Sequence, residues 1–291
     1  MIAALVCSLV LAQPPVQPAA PVKKETPSRQ PGKREAISPG KPAPDKSDPD
    51  RVNPGKGENT RPSAALVDFP HPLISEVLYA VPTGVWGDAS KDDLRDANGD
   101  EFIEIVNPHD EPIQLAGYRL SDRPSDDPKR KATNLSFTFP RLELKPGQVA
   151  VVFNGHGATW AGPVGDSGRA PEKPDERFAN GFVFTMRVTS ERSGLANAAD
   201  LVLLTAPDGT KVHCITWGDA KPIPGARLVE AAPLVSGRQS GSVARRGPKS
   251  SLEAHPEIEG GRFSPGFPWI VDPRPTEAPE DGLPAERPRK K

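Results

Sequence analysis

Proline limits what this chain can build more than any other residue. It has no backbone donor and a fixed φ, so it interrupts helices and is excluded from the interior of sheets. The chain carries 37 prolines in 291 residues, against a usual share of ~5%. They are unevenly placed. Twelve fall within 13–65, between Lys, Arg, Asp and Ser and with no apolar periodicity. Five fall within 272–291, which ends Arg287-Pro288-Arg289-Lys290-Lys291. Such stretches favour extended, solvated conformations and act as spacers. Residues 13–65 therefore read as a disordered linker and 272–291 as a disordered basic tail, leaving 66–271 as one folded domain.

Several function classes fall away on composition. The 37 Lys and Arg nearly cancel the 38 Asp and Glu, so no global field draws in nucleic acid or an anionic membrane. Two cysteines cannot build a disulfide framework or a multi-Cys zinc site. The apolar run 2–12 is too short to span a bilayer, which takes about 20 residues. It fits the apolar region of a secretory signal, with a small-residue cleavage site at Val10-Leu11-Ala12. Residues 1–12 thus read as a signal peptide. The expected location is secreted, periplasmic or at the cell surface, with no other membrane span.

Between 69 and 270 short β-type runs alternate with turn signals. Leu73–Tyr79, Glu101–Val106, Tyr118–Ser121, Ser136–Phe139, Val149–Phe153, Leu201–Thr205 and Lys211–Trp217 are the main ones. In the second, Ile103 and Ile105 share one face and Glu104 takes the other, the pattern of a half-buried strand. Glu101 and Glu104 punctuate that strand with charge, which on an edge discourages open-ended pairing. Ala206-Pro207-Asp208-Gly209-Thr210 joins two runs as a hairpin turn. No window sustains helical apolar spacing, so the expected architecture is an all-β antiparallel sandwich. The stretch 156–181 is rich in Gly, Pro and charge and reads as a tolerated surface insertion.

The order of short motifs carries more information than any one of them. Ile74-Ser75-Glu76-Val77 is followed by Gly99-Asp100-Glu101-Phe102-Ile103-Glu104-Ile105-Val106-Asn107-Pro108, then by Ile113 to Asp122 around Leu115-Ala116-Gly117-Tyr118. Phe137-Thr138-Phe139-Pro140, Leu144-Lys145-Pro146-Gly147-Gln148, Ala198-Ala199-Asp200, Pro207-Asp208-Gly209 and Trp217-Gly218 come next. Ser264-Pro265-Gly266-Phe267-Pro268 closes the series. Over roughly 70–268 this order resembles the lamin tail domain family, in its bacterial exported form. The resemblance implies an immunoglobulin-like β-sandwich and a non-enzymatic module. The expected role is a binding or structural module in the envelope or outside the cell, its partner a protein or a cell-surface polymer. The catalytic partner domains that often accompany the bacterial type are absent from this sequence.

Candidate sites are sparse. Asp88, Asp92, Asp93, Asp96, Asn98, Asp100 and Glu101 lie close together. Asp96, Asn98 and Asp100 have the alternate oxygen spacing with which calcium loops begin, and form the candidate metal site. The alternative is an Asn-Gly turn with solvated carboxylates. The full loop pattern fails, with Glu101 where Gly is wanted and Asn107 where Glu is wanted. No other cofactor and no small-molecule substrate is indicated. The alternative function is a metal-dependent hydrolase of the phosphoesterase or nuclease kind, assembled from scattered His and Asp. Cys214 lies mid-strand beside His213, which points to the opposite face and cannot serve as its base. Lys129-Arg130-Lys131, Arg245-Arg246 with Lys249, and the basic end could hold phosphates, but the balanced charge argues against nucleic acid as the partner.

Overall fold

The computed structural model describes residues 66–271, apart from 124–126, 130, 132–133 and 259. The signal, linker and tail expectations lie outside the described residues, as do Cys7, Arg130 and the basic end.

Among the described residues thirteen short strands form: β1 Leu73–Leu78, β2 Phe102–Val106, β3 Ile113–Gln114, β4 Arg119–Ser121, β5 Ser136–Thr138, β6 Glu143–Leu144, β7 Val149–Phe153, β8 Phe182–Thr185, β9 Asp200–Thr205, β10 Lys211–Trp217, β11 Leu228–Ala231, β12 Ser242–Ala244 and β13 Glu253–Ala254. They make two main sheets, one ordered β13-β12-β1-β2-β7-β8 and the other β11-β10-β9-β4-β5, with β3-β6 as a small ribbon. Pairing is antiparallel except for β7–β8 and β10–β11. This is an immunoglobulin-like β-sandwich. Among the described residues no helix is long and apolar enough to cross a membrane.

Side chains alternate across each strand, so every second residue enters the space between the sheets. Ile103, Ile105, Leu120, Val152, Val202, Leu204 and Ile215 fill it. Phe137, Phe139 and Phe184 form a three-ring cluster with centroids 5.0–5.5 Å apart in edge-to-face contact, the arrangement that aromatic quadrupoles favour. Tyr79, just after β1, stacks on Trp217 of β10 at 4.2 Å and ties one sheet to the other. The turn between β9 and β10 forms as expected, with the Gly209 amide donating to the Ala206 carbonyl at 2.9 Å.

Two expectations need correction. First, β2 is not an edge, because it lies between β1 and β7. Glu104 is fully buried and Glu101 nearly so. The face that carries Glu104 also carries Phe102 and Val106, and both are buried. Second, the stretch 156–181 is not a dispensable insertion. It supplies Phe178, Trp160 and Val164 to a second cluster with Leu78, Phe102, Val151 and Phe153, on the side of the first sheet away from the main core. The stretch then delivers β8 parallel to β7. A parallel neighbour requires a long crossover, and this segment is that crossover.

Candidate functional site

The excursion between β1 and β2, residues 79–101, holds the candidate calcium residues. The structure brings them together as a network of turns closed by backbone amides. Asp96 Oδ1 accepts from the amides of Asn98 at 2.9 Å and Gly99 at 2.7 Å. Asp100 is buried; Oδ1 accepts from Ser90 N at 2.8 Å and Oδ2 from Asp96 N at 2.7 Å. Asn98 uses its side-chain amide to reach the Glu191 carbonyl. Asp92 and Asp88 act similarly: Asp92 accepts from Leu94 N and Thr159 N, and Asp88 from Asp92 N and Asp93 N. Aspartates in this role satisfy orphan donors in a turn. Among the described residues no group of three or more His, Cys, Asp or Glu is placed to hold a metal ion, so the calcium reading rests on spacing.

Against this excursion lies the turn 154–160 that follows β7. Gly99 permits the contact, since a Cβ there would collide with the His156 carbonyl. His156 Nδ1 then sits 3.2 Å from Asp96 Oδ2. Desolvation works against ionised Asp96, but the Gly99 and Asn98 amides and the His156 imidazole together hold its carboxyl below the ordinary range. Burial pushes Asp100 up to about 6 despite the Ser90 and Asp96 amides. Ser90, Asp92, Leu94, Asp96, Asp100 and His156 line a pocket of about 230 Å³. On the other side of the same turn is a cleft of about 500 Å³, lined by Trp160, Val164, Thr185, Arg187 and Val188. Arg187 is paired there with Asp166 at 2.8 Å.

The other histidines are dispersed. His71 Nδ1 meets the Tyr118 hydroxyl at 2.8 Å, and His109 Nε2 meets the His71 carbonyl at 2.8 Å. His213 is buried with Nε2 at 2.8 Å from Glu230 Oε2. His255 Nε2 is 3.0 Å from Ser264 Oγ. Cys214 is free and buried on the opposite face of β10, among Leu201 and Leu203. Burial pushes its thiol up, away from the thiolate form that reactivity needs. Ser240 follows a short 3₁₀ turn, Gly237–Gln239.

The sequence reading missed two buried polar groups. Fully buried Arg245, just past β12, donates to both oxygens of Glu230 on β11 and, through Nε, to the Ile74 carbonyl at 2.9 Å. It ties the first sheet to the edge of the second. The other group is Glu76 and Glu104, direct cross-strand neighbours on β1 and β2. A signal for the second was present. Phe102 and Val106 flank Glu104 on its own face, and an apolar pair around one carboxylate marks a covered face.

A family model described as Lamin Tail Domain matches residues 71–219, half of the chain. No curated protein matches the sequence. The matched segment runs from just before β1 to just past β10, and takes in β2, the Asn107-Pro108 strand end and the β9–β10 hairpin that carried the resemblance. The chain belongs to the lamin tail domain family.

Proposed function

We propose that the protein is an exported, non-catalytic binding module. Its partner is a protein or a cell-surface polymer in the envelope or outside the cell. One observation carries this reading: the 79–101 excursion spends its polar side chains on its own turns and on the adjoining loops while presenting apolar side chains outward. Val85, Trp86 and Leu94 are 82%, 59% and 65% exposed. Arg95 and Lys91 on the same excursion turn inward, to the carbonyls of Val81 and Pro82 and of Arg177. Exposed apolar groups on a segment rich in carboxylates suit recognition of another macromolecule. The family's non-enzymatic character and the apolar run at 2–12 support the same reading.

The test compares the full chain with Trp86→Ala and Leu94→Asp. The variants should melt as the parent does and lose retention on isolated cell envelopes, while the parent is recovered from the exported fraction. Retention unchanged in both variants would move the binding surface elsewhere. Recovery of the parent from the cytosol alone would remove export from the reading.

A second reading is favoured by the His156–Asp96 pair beside Asp100 in one pocket: a metal-dependent phosphoesterase. Release of nitrophenol from a chromogenic phosphodiester, dependent on added divalent metal and abolished by His156→Ala, would install that reading in place of the first.

A further inference from the structure

We propose that the buried Glu76–Glu104 pair holds at least one proton while the C-terminal strap Phe263–Ile270 lies across the outer face of the first sheet, which makes the strap a pH-sensitive latch. The two residues face each other in the β1–β2 register. Both side chains are buried. Like charges so placed cannot both ionise without a large electrostatic cost. Four of the five groups that reach their oxygens are hydroxyls or amides brought by other segments. Glu76 Oε1 accepts from Ser242 Oγ at 2.5 Å and Ser264 N at 2.9 Å, and Oε2 from Ser264 Oγ at 3.0 Å. Glu104 Oε2 accepts from Gly266 N at 2.7 Å. Ser75 Oγ donates to Glu104 Oε1 at 2.7 Å.

The strap therefore touches the sheet's carboxyl pair through both ends of Ser264-Pro265-Gly266. Gly266 is required by geometry. Its φ is +98°, and a Cβ would collide with the Phe178 carbonyl. The rest of the strap completes the cover. Phe263 packs edge-on to Phe102 at 6.5 Å, and Ile270 N donates to the Arg245 carbonyl at 2.7 Å.

Ala244 on β12 opposes Glu76, and Val151 on β7 opposes Glu104; neither carries charge. Arg262 offers its carbonyl to Ser242 and turns its guanidinium to Glu257. His255 is the titratable group facing the pair, through Ser264 Oγ. Its Nδ1 faces the Pro256 carbonyl at 2.6 Å and so must donate. Ser264 Oγ thus stands between the Glu76 carboxyl and the His255 ring.

The sign follows from burial. Desolvation raises Glu76, and desolvation with the neighbouring Glu76 charge raises Glu104. A carboxyl raised in the closed state stabilises that state fully below its ordinary range. The stabilisation is lost as pH climbs from there through the raised titration. Across that window the strap's closing constant should fall about tenfold per pH unit for each proton held.

The experiment uses the full chain. Amide-exchange protection at Ser264 and Gly266, corrected for the intrinsic pH dependence, should fall with rising pH. Protection at Val151 and Val202 should fall less. Glu104→Gln keeps an acceptor for Gly266 N but removes one of the two titrating carboxyls, so its Gly266 protection should fall less steeply with pH than the parent's. A pH-independent wild type, or an unchanged slope in the variant, overturns the latch. Should the variant fail to fold, the wild-type glutamate ¹³C carboxyl resonances decide. A resonance assigned to Glu76 or Glu104 that titrates well above the ordinary range supports the held proton; both titrating within that range overturns it.

Discussion

The Arg245–Glu230–His213 group shows what one buried charge can demand of its neighbours. A guanidinium out of water is tolerable only with its charge met and its donors used. Glu230 meets the charge, and the Ile74 and Ser250 carbonyls take further donors. Desolvation would raise the Glu230 carboxyl, but the hydrogen bonds from His213 and Arg245 and the Arg245 charge hold it down to about 2. A depressed carboxylate contributes stability above its ordinary range of 4.5 and loses it as pH falls from there toward about 2. The melting midpoint should therefore drop over that acidic window, and Glu230→Gln should flatten the drop. Glu230→Ala removes one partner of a buried pair, a change that costs about 3–5 kcal/mol. Calorimetry of the full chain should show a loss of roughly 10 °C, at about 2–4 °C per kcal/mol for a domain of this size. At the acidic excursion, Asp96→Ala strips two amides of their acceptor and should cost about 1–2 kcal/mol. Melting with calcium and with excess chelator should coincide, because the Asp96 and Asp100 oxygens already accept amides. A calcium-dependent rise would put a cation on Asp96, Asn98 and Asp100.

At the scale of elements, the 154–181 crossover departs most from what its composition suggested. Gly, Pro and charge along 156–181 look like solvent-facing loop, because a composition average hides three well-spaced apolar anchors. Phe178 lies 5.5 Å from Phe153, and Trp160 lies 5.3 Å from it. Lys91 caps the Phe178 ring at 4.8 Å, a cation–π contact from the neighbouring excursion. Phe178→Ala should cost about 3–5 kcal/mol. A truly dispensable insertion would lose less than about 0.5 kcal/mol, and urea unfolding separates the two. Strand positions themselves were legible. β1, β2, β4, β5, β7, β9 and β10 all fall within two residues of the runs marked by alternation and turn residues. The two-residue strands β3, β6 and β13 were not legible, being too short to show a period. Nor was β11, whose Leu-Val-Glu-Ala places charge where alternation wants an apolar group. The site was half legible. The acidic residues stood out by their clustering, whereas the approach of His156 depends on Gly99 and on a turn far along the chain.

For the whole molecule, the boundary of the folded unit is the informative quantity. The family match ends at 219, yet β12 pairs with β1, β13 pairs with β12, and the strap reaches Glu76 and Glu104. A chain ending at residue 219 would leave the β1 edge unpaired, two buried carboxylates without strap donors and the Tyr79 hydroxyl without the Pro233 carbonyl. Such a truncation should lack a cooperative melting transition and dispersed amide resonances, while the full chain shows both. Folding as well without 220–271 would make those residues an appendage. Period-two alternation, turn residues and proline breaks are local properties of a chain, and they sufficed for seven of the strands and the sandwich class; the order of short motifs carried the resemblance to the family. Which faces are covered is not local. Ser264 reaches Glu76 across 188 residues of sequence, and Arg245 reaches Ile74 across 171. Only the packed chain could decide which segment covers Glu104, that 156–181 is a cover and that Asp96 faces His156. Burial on a second face depends on which distant segment comes to lie over it.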